Sequence, residues 1–288
     1  MPNKDKLEKQ IKELAEEPDR QFVARLGVKL VKQANQMEAK SGALRYFSVA
    51  CGIITCLLLI VTLKLNAESE APATVGEANS PSVLIYHTHS QESFVSETKT
   101  STEIHSLNDP HHNISLVGKR LADALQSNKV SAIQSPIDFA NEAKNQQRDF
   151  NELYLMSREN VKEMLAIHSD IQMVLDVHRD NRKRNMTTHK INDTEVAKIR
   201  LVINHSHPNW GRNLDFAQKI SKKAQEMYPE FPIEVLEQKG MSPVYWNQDL
   251  HPHAVLVEIG GMENTLEEEY ASADILAKIL AELLREAD

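Results

Sequence analysis

Short apolar runs alternate with amphipathic stretches along residues 82–288. The runs at 83–86, 171–177 and 254–259 are rich in Val, Ile and Leu, which is typical of β-strands. Residues 114–128 and 264–287 carry apolar positions at helical spacing. Strands that alternate with helices predict an α/β fold, with a mostly parallel sheet flanked by helices. Because residues 171–177 are almost wholly apolar, we expect that strand to be central and covered on both faces.

Weaker signals of the same kind complete the predicted elements. We expect further strands at 130–134, 197–204 and 233–236, and further helices at 150–168 and 209–227. We expect loops at 98–112, 136–147, 182–192 and 240–253. The cluster RDNRKR at 179–184 is strongly basic, and it is most simply a solvated loop; the alternative is a face for an anionic polymer.

A nearly unbroken apolar stretch at residues 47–63 interrupts the otherwise polar N-terminal region. With its flanks it reaches about 20 residues, the length of a helix that spans a bilayer. Lysines and arginines precede it and glutamates follow it, so the positive-inside rule places the N-terminus in the cytoplasm. We favour an uncleaved anchor over a buried core helix or a secretory signal, because a signal has its charged region nearer the start and a clear cleavage site.

The chain is therefore predicted to have four parts. They are a cytosolic helical head at 1–46, a single transmembrane helix at 47–65, a flexible linker at 66–81 and an extracytoplasmic domain at 82–288. Cys51 and Cys56 both fall inside the apolar stretch, so no disulfide is expected within the domain. The net charge of −8 argues against a nucleic-acid-binding protein.

Ionisable side chains follow three of the predicted strands at the point where each strand ends. His89 and Glu92 come directly after the first strand, His178 ends the run MVLDVH, and Glu258 lies near the end of AVLVEIGG. The carboxyl ends of parallel strands meet at one edge of a sheet, where α/β proteins bind ligands. Imidazole and carboxylate groups are zinc ligands. We therefore predict a Zn2+ site of His89, Glu92 and His178, with Glu258 as the general acid/base.

Two of these assignments have alternatives, since no HExxH motif fixes the ligands by their spacing. His87 could replace His89, because alternation along a strand places both on the same face. His178 could instead be an ordinary strand-end histidine that is hydrogen-bonded to Asp176 or Asp180.

Several motifs occur in an order that resembles a known family: LIYHTHSQESF, VLDVHRD, HPNWGRNLDFA, YWNQDL and VEIGGMENTLEEEYASADILA. Together, over residues 82–286, they resemble the stage II sporulation protein P family of membrane-anchored cell-wall hydrolases of endospore-forming bacteria. That family is more distantly similar to zinc-dependent N-acetylmuramoyl-L-alanine amidases with an α/β fold. The resemblance implies a zinc-dependent enzyme that cleaves peptidoglycan at the amide between N-acetylmuramic acid and L-alanine. The family is also credited with cutting peptide cross-links.

The resemblance also implies roles for individual residues. The family's two histidines fall on His89 and His178, its catalytic glutamate falls on Glu258, and Glu92 in HTHxxES is the implied carboxylate ligand.

Three further residues are expected to contact substrate. Arg158 in SRENV and Asn247 in NQD match family motif positions and are expected to line the substrate groove. Arg179 opens the basic cluster, which suits a negatively charged glycan.

The resemblance implies peptidoglycan and a membrane as partners, together with other sporulation or septal cell-wall proteins. The family works with a lytic transglycosylase, stage II sporulation protein D, and a membrane scaffold, protein M. The expected location is the cell membrane, at the septum between forespore and mother cell if the role is in sporulation. The linker is shorter than in many members. The alternative function is a catalytically inactive wall-binding or regulatory paralogue, but all four predicted site residues are present, which favours the enzyme.

Overall fold

A central β-sheet organises the computed structural model, which describes residues 81–98, 108–231, 233–240 and 244–287. In chain order the strands are β1 (Val83–Tyr86), β2 (Ala132–Gln134), β3 (Met173–Asp180), β4 (Thr188–Ile191), β5 (Thr194–Ala197), β6 (Ile199–Asn204), β7 (Ile233–Gln238) and β8 (Ala254–Gly261). The helices are α1 (Ile114–Ser127), α2 (Phe139–Gln146), α3 (Leu153–Ile167), α4 (Arg184–Thr187), α5 (Trp210–Met227) and α6 (Leu266–Ala287). Short 3-10 helices lie at Phe150–Glu152 and Tyr245–Leu250.

The sheet has six strands in the order β2-β1-β3-β8-β6-β7, and β4 and β5 pair separately as an antiparallel hairpin. Neighbouring strands of the sheet run parallel, except that β6 runs antiparallel to β8. This confirms the predicted α/β fold with a mostly parallel sheet. β3 is central, and every one of its residues is buried, as its apolar sequence predicts.

Alternating side chains of the strands fill two separate hydrophobic cores, one on each face of the sheet. Ile85 and Leu175 belong to the core beneath α1, α5 and α6. Leu84 and Val174, their neighbours in the chain, belong to the core beneath α2 and α3. The result is a three-layer arrangement that fixes the positions of the strand ends at which the predicted site lies.

Two predicted loops contain an α-helix or a β-strand, so those predictions are wrong, and a third, at 240–253, contains the 3-10 helix Tyr245–Leu250. α2 lies within 136–147, where only Phe139 and Ala143 are buried, and two apolar residues give too weak a periodic signal. The basic segment 182–192 contains α4 and β4, which leads into β5. The hairpin strands are short and mostly polar because the hairpin lies outside the main sheet.

The predictions for residues 1–80 concern a part of the chain outside the described residues. The helical head, the membrane anchor and the linker therefore stay predictions. Within the described ranges, no helix is both long enough and apolar enough to cross a bilayer.

Candidate metal centre

Three of the predicted site residues converge beside the carboxyl ends of β1 and β3. His89, Glu92 and His178 each offer one ligand atom, and these atoms lie within 4.8 Å of one another. The Glu92 carboxylate is shared between the two imidazoles. Its Oε1 lies 3.5 Å from Nδ1 of His89, and its Oε2 lies 3.3 Å from Nδ1 of His178. Two imidazole nitrogens and a carboxylate oxygen are a common three-ligand set for catalytic zinc.

The turn that follows β1 positions two of the three ligands. β1 ends at Tyr86, and the backbone N–H of Glu92 donates a 3.1 Å hydrogen bond to the carbonyl oxygen of His89. The carbonyl of Glu92 accepts a 2.7 Å bond from the N–H of Ile114, the first residue of α1. The Glu92 side chain accepts a 3.1 Å bond from the backbone N–H of Arg179. Glu92 is thus fixed to both β3 and α1.

A buried carboxylate orients His178 from behind. Oδ1 of Asp176 lies 2.9 Å from Nε2 of His178, leaving Nδ1 directed at Glu92. Asp176 also accepts hydrogen bonds of 2.9 Å and 2.8 Å from the backbone N–H and hydroxyl of Thr88. Metal-ligating histidines commonly have such a carboxylate on their second nitrogen, which fixes the orientation of the ring.

The carboxylates around His178 favour a positive charge at this position. Burial disfavours charge on this imidazole, but the carboxylates of Asp176 and Glu92 outweigh burial and raise its pKa well above the usual value. Burial likewise opposes ionisation of Glu92, yet His178 and His89 hold its pKa below the usual range. Two ionised carboxylates facing one imidazole would also be satisfied by a divalent ion, so the residues present fit zinc.

His87, the alternative ligand, lies outside this cluster. Its Nδ1 is 2.8 Å from the carbonyl oxygen of Val177, and its Nε2 is 2.9 Å from the side-chain nitrogen of Gln134. The ring packs so closely on Gly118 of α1 that a Cβ there would lie 2.2 Å from it. Burial lowers the pKa of His87 to about 4. Strand alternation does not relate His87 to His89, because the strand has already ended at Tyr86.

Glu258 lies on β8 directly beside His178 of β3, and its partner is an arginine that the sequence analysis did not identify. Arg200 of β6 lies opposite Glu258 in the antiparallel pair. Its Nε and Nη2 contact Oε2 of Glu258 at 2.6 and 2.5 Å, and Nη2 also contacts Oδ2 of Asp180 at 2.9 Å. Burial raises the pKa of Glu258 even though the charge of Arg200 lowers it.

The three residues predicted to contact substrate have partners within the protein. Both terminal nitrogens of Arg158 contact the Asp249 carboxylate, at 2.7 and 2.6 Å. The Arg179 side chain is buried and donates to the carbonyl oxygen of Ser93 at 2.8 Å. Their substrate contacts stay predictions.

Asn247, the third of these residues, is buried and reaches the site from behind. Its side-chain nitrogen donates to the Ser157 hydroxyl, and that hydroxyl lies 2.9 Å from the hydroxyl of Thr88. Since Thr88 bonds to Asp176, a continuous chain of hydrogen bonds links the Tyr245–Leu250 turn to the carboxylate that lies 2.9 Å from His178. Such chains stiffen a site, and their members act on one another.

The other two arginines of the 179–184 cluster are paired with acids. Arg182 contacts Asp180, and Arg184 contacts Glu195 and Glu268. The sequence shows the positive charges close together, but the acids that neutralise Arg184 come from β5 and α6.

Two aromatic side chains border the exposed side of His89, and the sequence analysis assigned neither to the site. The Phe150 ring stacks on the His89 imidazole with a centroid distance of 5.0 Å and an interplanar angle of 24°. Tyr154 meets the same imidazole edge-on at 5.4 Å. Their spacing of four residues is an ordinary helical spacing, which carries no functional signal in the sequence.

The family model for "Stage II sporulation protein P (SpoIIP)" matches residues 2–281 of the chain. The stage II sporulation protein P of Bacillus subtilis (strain 168) is 30% identical over 226 residues, covering 77% of this chain and 56% of that protein. The chain thus spans little more than half the length of this curated relative.

Solved structures with a similar arrangement include two amidases. The N-acetylmuramoyl-L-alanine amidase from Clostridium difficile 630 is 14% identical, with a TM-score of 0.39 over 72% of this chain and 96% of that chain. The CwlD amidase from Clostridioides difficile, in complex with the GerS lipoprotein, is 13% identical, with a TM-score of 0.42 over 69% and 98%. Scores this low carry no argument about activity.

Proposed function

The chain belongs to the stage II sporulation protein P family, and from that premise we propose that it is a zinc-dependent peptidoglycan hydrolase. The proposed reaction is cleavage of the amide between N-acetylmuramic acid and the L-alanine of stem peptides. Peptide cross-links are a second proposed substrate. The observation that carries the proposal is the cluster of His89, Glu92 and His178, with the carboxylate of Glu258 on the adjacent strand.

His89, Glu92 and His178 are proposed to hold the zinc ion through the three converging ligand atoms. A bound zinc ion supplies Lewis acidity, which polarises a carbonyl group and acidifies water. Asp176 fixes the orientation of the His178 ring, and Arg179 fixes Glu92 through its backbone N–H. These contacts reduce the reorganisation that ligand residues would otherwise undergo when a metal binds.

Glu258 is proposed to move the proton in this reaction. Its Oε2 carries both contacts to Arg200, so Oε1 is the oxygen available to accept a proton from water and to return it to the leaving amide nitrogen. A carboxylate with a raised pKa is a stronger base than an ordinary glutamate and holds its proton to a higher pH. Arg200 keeps this carboxylate in a single orientation.

The proposed setting follows from the N-terminal prediction and the family. We propose that residues 47–65 anchor the protein in the cell membrane, with residues 1–46 in the cytoplasm and residues 82–288 outside. Peptidoglycan is then within reach of the domain. Other sporulation or septal cell-wall proteins are the proposed protein partners, and the septum between forespore and mother cell is the proposed location.

The test uses the full chain in mild detergent with purified cell-wall sacculi. We expect release of stem peptides that begin with L-alanine, identified by mass spectrometry of the products. A zinc chelator should stop the release, and added zinc should restore it. Glu258→Gln should retain zinc, measured as metal per chain, and should lower the rate by about 10²–10⁴-fold, the usual contribution of a general base.

Glu230→Gln, a change at an exposed glutamate far along the chain from the site, serves as the matched control and should leave the rate unchanged. Full turnover by Glu258→Gln would refute the role of Glu258. Binding of the wild-type chain to sacculi with no released product would instead support the wall-binding paralogue.

A further inference from the structure

Phe150 is an exposed aromatic residue in direct contact with a proposed metal ligand. Its side chain is 59% exposed, yet one face of the ring stacks on the His89 imidazole. Isolated exposed apolar residues are normal on protein surfaces and need no explanation. The stacking on His89 distinguishes Phe150 from Ile167, at the far end of α3, which is 63% exposed and lies outside the site.

The turn that presents Phe150 is fixed by polar contacts on both sides. The Asp149 carboxylate accepts a 2.8 Å bond from the N–H of Asn151, and Glu152 accepts a 3.1 Å bond from the N–H of Asp149. The Arg148 guanidinium donates to Glu152 at 3.0 and 2.8 Å. Capping boxes of this kind satisfy the free N–H groups at the start of a helix. The ring is therefore held beside the site by a well-ordered turn.

We propose that Phe150 determines specificity for the residue that follows the scissile amide, by packing its ring against the methyl group of the first alanine. This inference rests on the proposed function. The methyl carbon of the first alanine is three bonds from the scissile carbonyl carbon, so it lies within several ångströms of the ligands when that carbonyl is at the site. The centroid of the Phe150 ring is likewise 5.0 Å from the centroid of the His89 ring. Packing the exposed face of the ring against the methyl group of alanine removes apolar surface from water, which is favourable. Glycine has only a hydrogen atom at this position, so it lacks this contribution.

The expected effect is a preference for alanine over glycine at the first position of the stem peptide. Burial of one methyl group corresponds to about a fourfold difference in affinity. In Phe150→Ala, the ratio of the affinities for the alanine and glycine probes should fall to about one. It should persist in Phe150→Tyr, because the ring remains.

The experiment measures binding and turnover with two synthetic probes, disaccharide tetrapeptides that carry L-alanine or glycine at the first position. Dissociation constants are measured by calorimetry with zinc-loaded full chain carrying Glu258→Gln, alone and combined with Phe150→Ala, Phe150→Tyr or Ile167→Ala. Zinc affinity is measured for each variant. Peptide release from sacculi is measured in parallel for the same three changes without Glu258→Gln.

Support requires that the parent prefers the alanine probe, that Phe150→Ala loses the preference at unchanged zinc affinity, and that Ile167→Ala keeps it. No preference in the parent, or a preference retained by Phe150→Ala, would overturn the inference. A fall in zinc affinity with the preference retained would show that the ring only shields His89, and this also overturns it. Each of these results leaves peptide release by the wild-type chain intact, whereas failure of the proposed function abolishes that release.

Discussion

Arg200 is expected to be one of the most sensitive residues of the domain, because it neutralises two carboxylates at once. Its guanidinium contacts Glu258 and Asp180, and the three side chains are only 7–18% exposed. Arg200→Ala leaves two nearby carboxylates without this cation. Removing one partner of a buried ion pair costs about 3–5 kcal/mol, and the remaining exposure of Arg200 and Glu258 reduces this to about 2–3 kcal/mol.

A cost of that size should lower the midpoint of thermal unfolding by about 4–12 °C in a domain of this length. Urea unfolding of the full chain, followed by circular dichroism, measures the free energy directly. The matched control is Arg120→Ala, which removes an equally short contact to Asp274, with side chains that are 50% and 34% exposed. Exposed pairs contribute about 0–1 kcal/mol, so the control should be nearly neutral.

The cause of the destabilisation can be checked with a second substitution. If the cost arises from an uncompensated carboxylate, adding Glu258→Gln to Arg200→Ala removes that charge and should restore part of the lost stability. A double variant that is no more stable than Arg200→Ala, or an Arg120→Ala variant that loses as much, would refute the electrostatic explanation.

Two further predictions concern the buried carboxyl groups of Asp176 and Glu269. Asp176→Asn should weaken zinc affinity about 10–100-fold, measured by chelator competition, because it removes the carboxylate that orients His178. Glu269 of α6 is fully buried, and neither of its oxygens has a hydrogen-bond partner among the described residues. Burial and the charge of Glu268 raise its pKa well above the usual value, although Arg179 lowers it. The folded state thus keeps a proton that the unfolded chain releases above about pH 4.3, so stability falls as the pH rises from there. Glu269→Gln removes this loss, so its stability relative to wild type should increase as the pH rises above about 4.3, as measured by urea unfolding at a series of pH values.

The controls for these two predictions use the same substitutions at exposed positions. Asp170→Asn, in the turn before β3, should leave zinc affinity unchanged, and Glu267→Gln, near the start of α6, should not alter the pH dependence of stability. An Asp176→Asn variant with wild-type zinc affinity would contradict the orienting role of Asp176. A constant stability difference between Glu269→Gln and wild type across the pH range would contradict the titration of Glu269.

The sequence predicted the strands that carry the site because burial on both faces makes them continuously apolar. It did not predict the β4–β5 hairpin, although a signal was present. Asn192 and Asp193 lie between β-branched residues, and Asn192 has a φ of 53°, a conformation that asparagine tolerates in hairpin turns. The strands on either side are mostly polar and lack an apolar pattern, so the whole segment was interpreted as a basic loop.

The ligand set could be proposed from strand ends, but the partners of its members could not. Arg200 is a lone charge in the apolar strand IRLVIN, which is the same signal that identified Glu258 in AVLVEIGG. Pairing the two requires the antiparallel register of β6 with β8, and register depends on tertiary structure. The choice between His87 and His89 likewise depended on where β1 ends, and strand ends are the least certain feature of sequence-based prediction.

The reversed direction of β6 has a consequence for how the sequences of this family could diversify. Since β3 ends and β6 begins at the same edge of the sheet, the intervening segment 181–198 leaves from this edge and returns to it. Insertions at the tip of its hairpin, at Asn192 and Asp193, would lengthen this segment without changing the strands that position the proposed ligands and Glu258. This segment is therefore a natural point for sequence variation that leaves the proposed catalytic base unchanged.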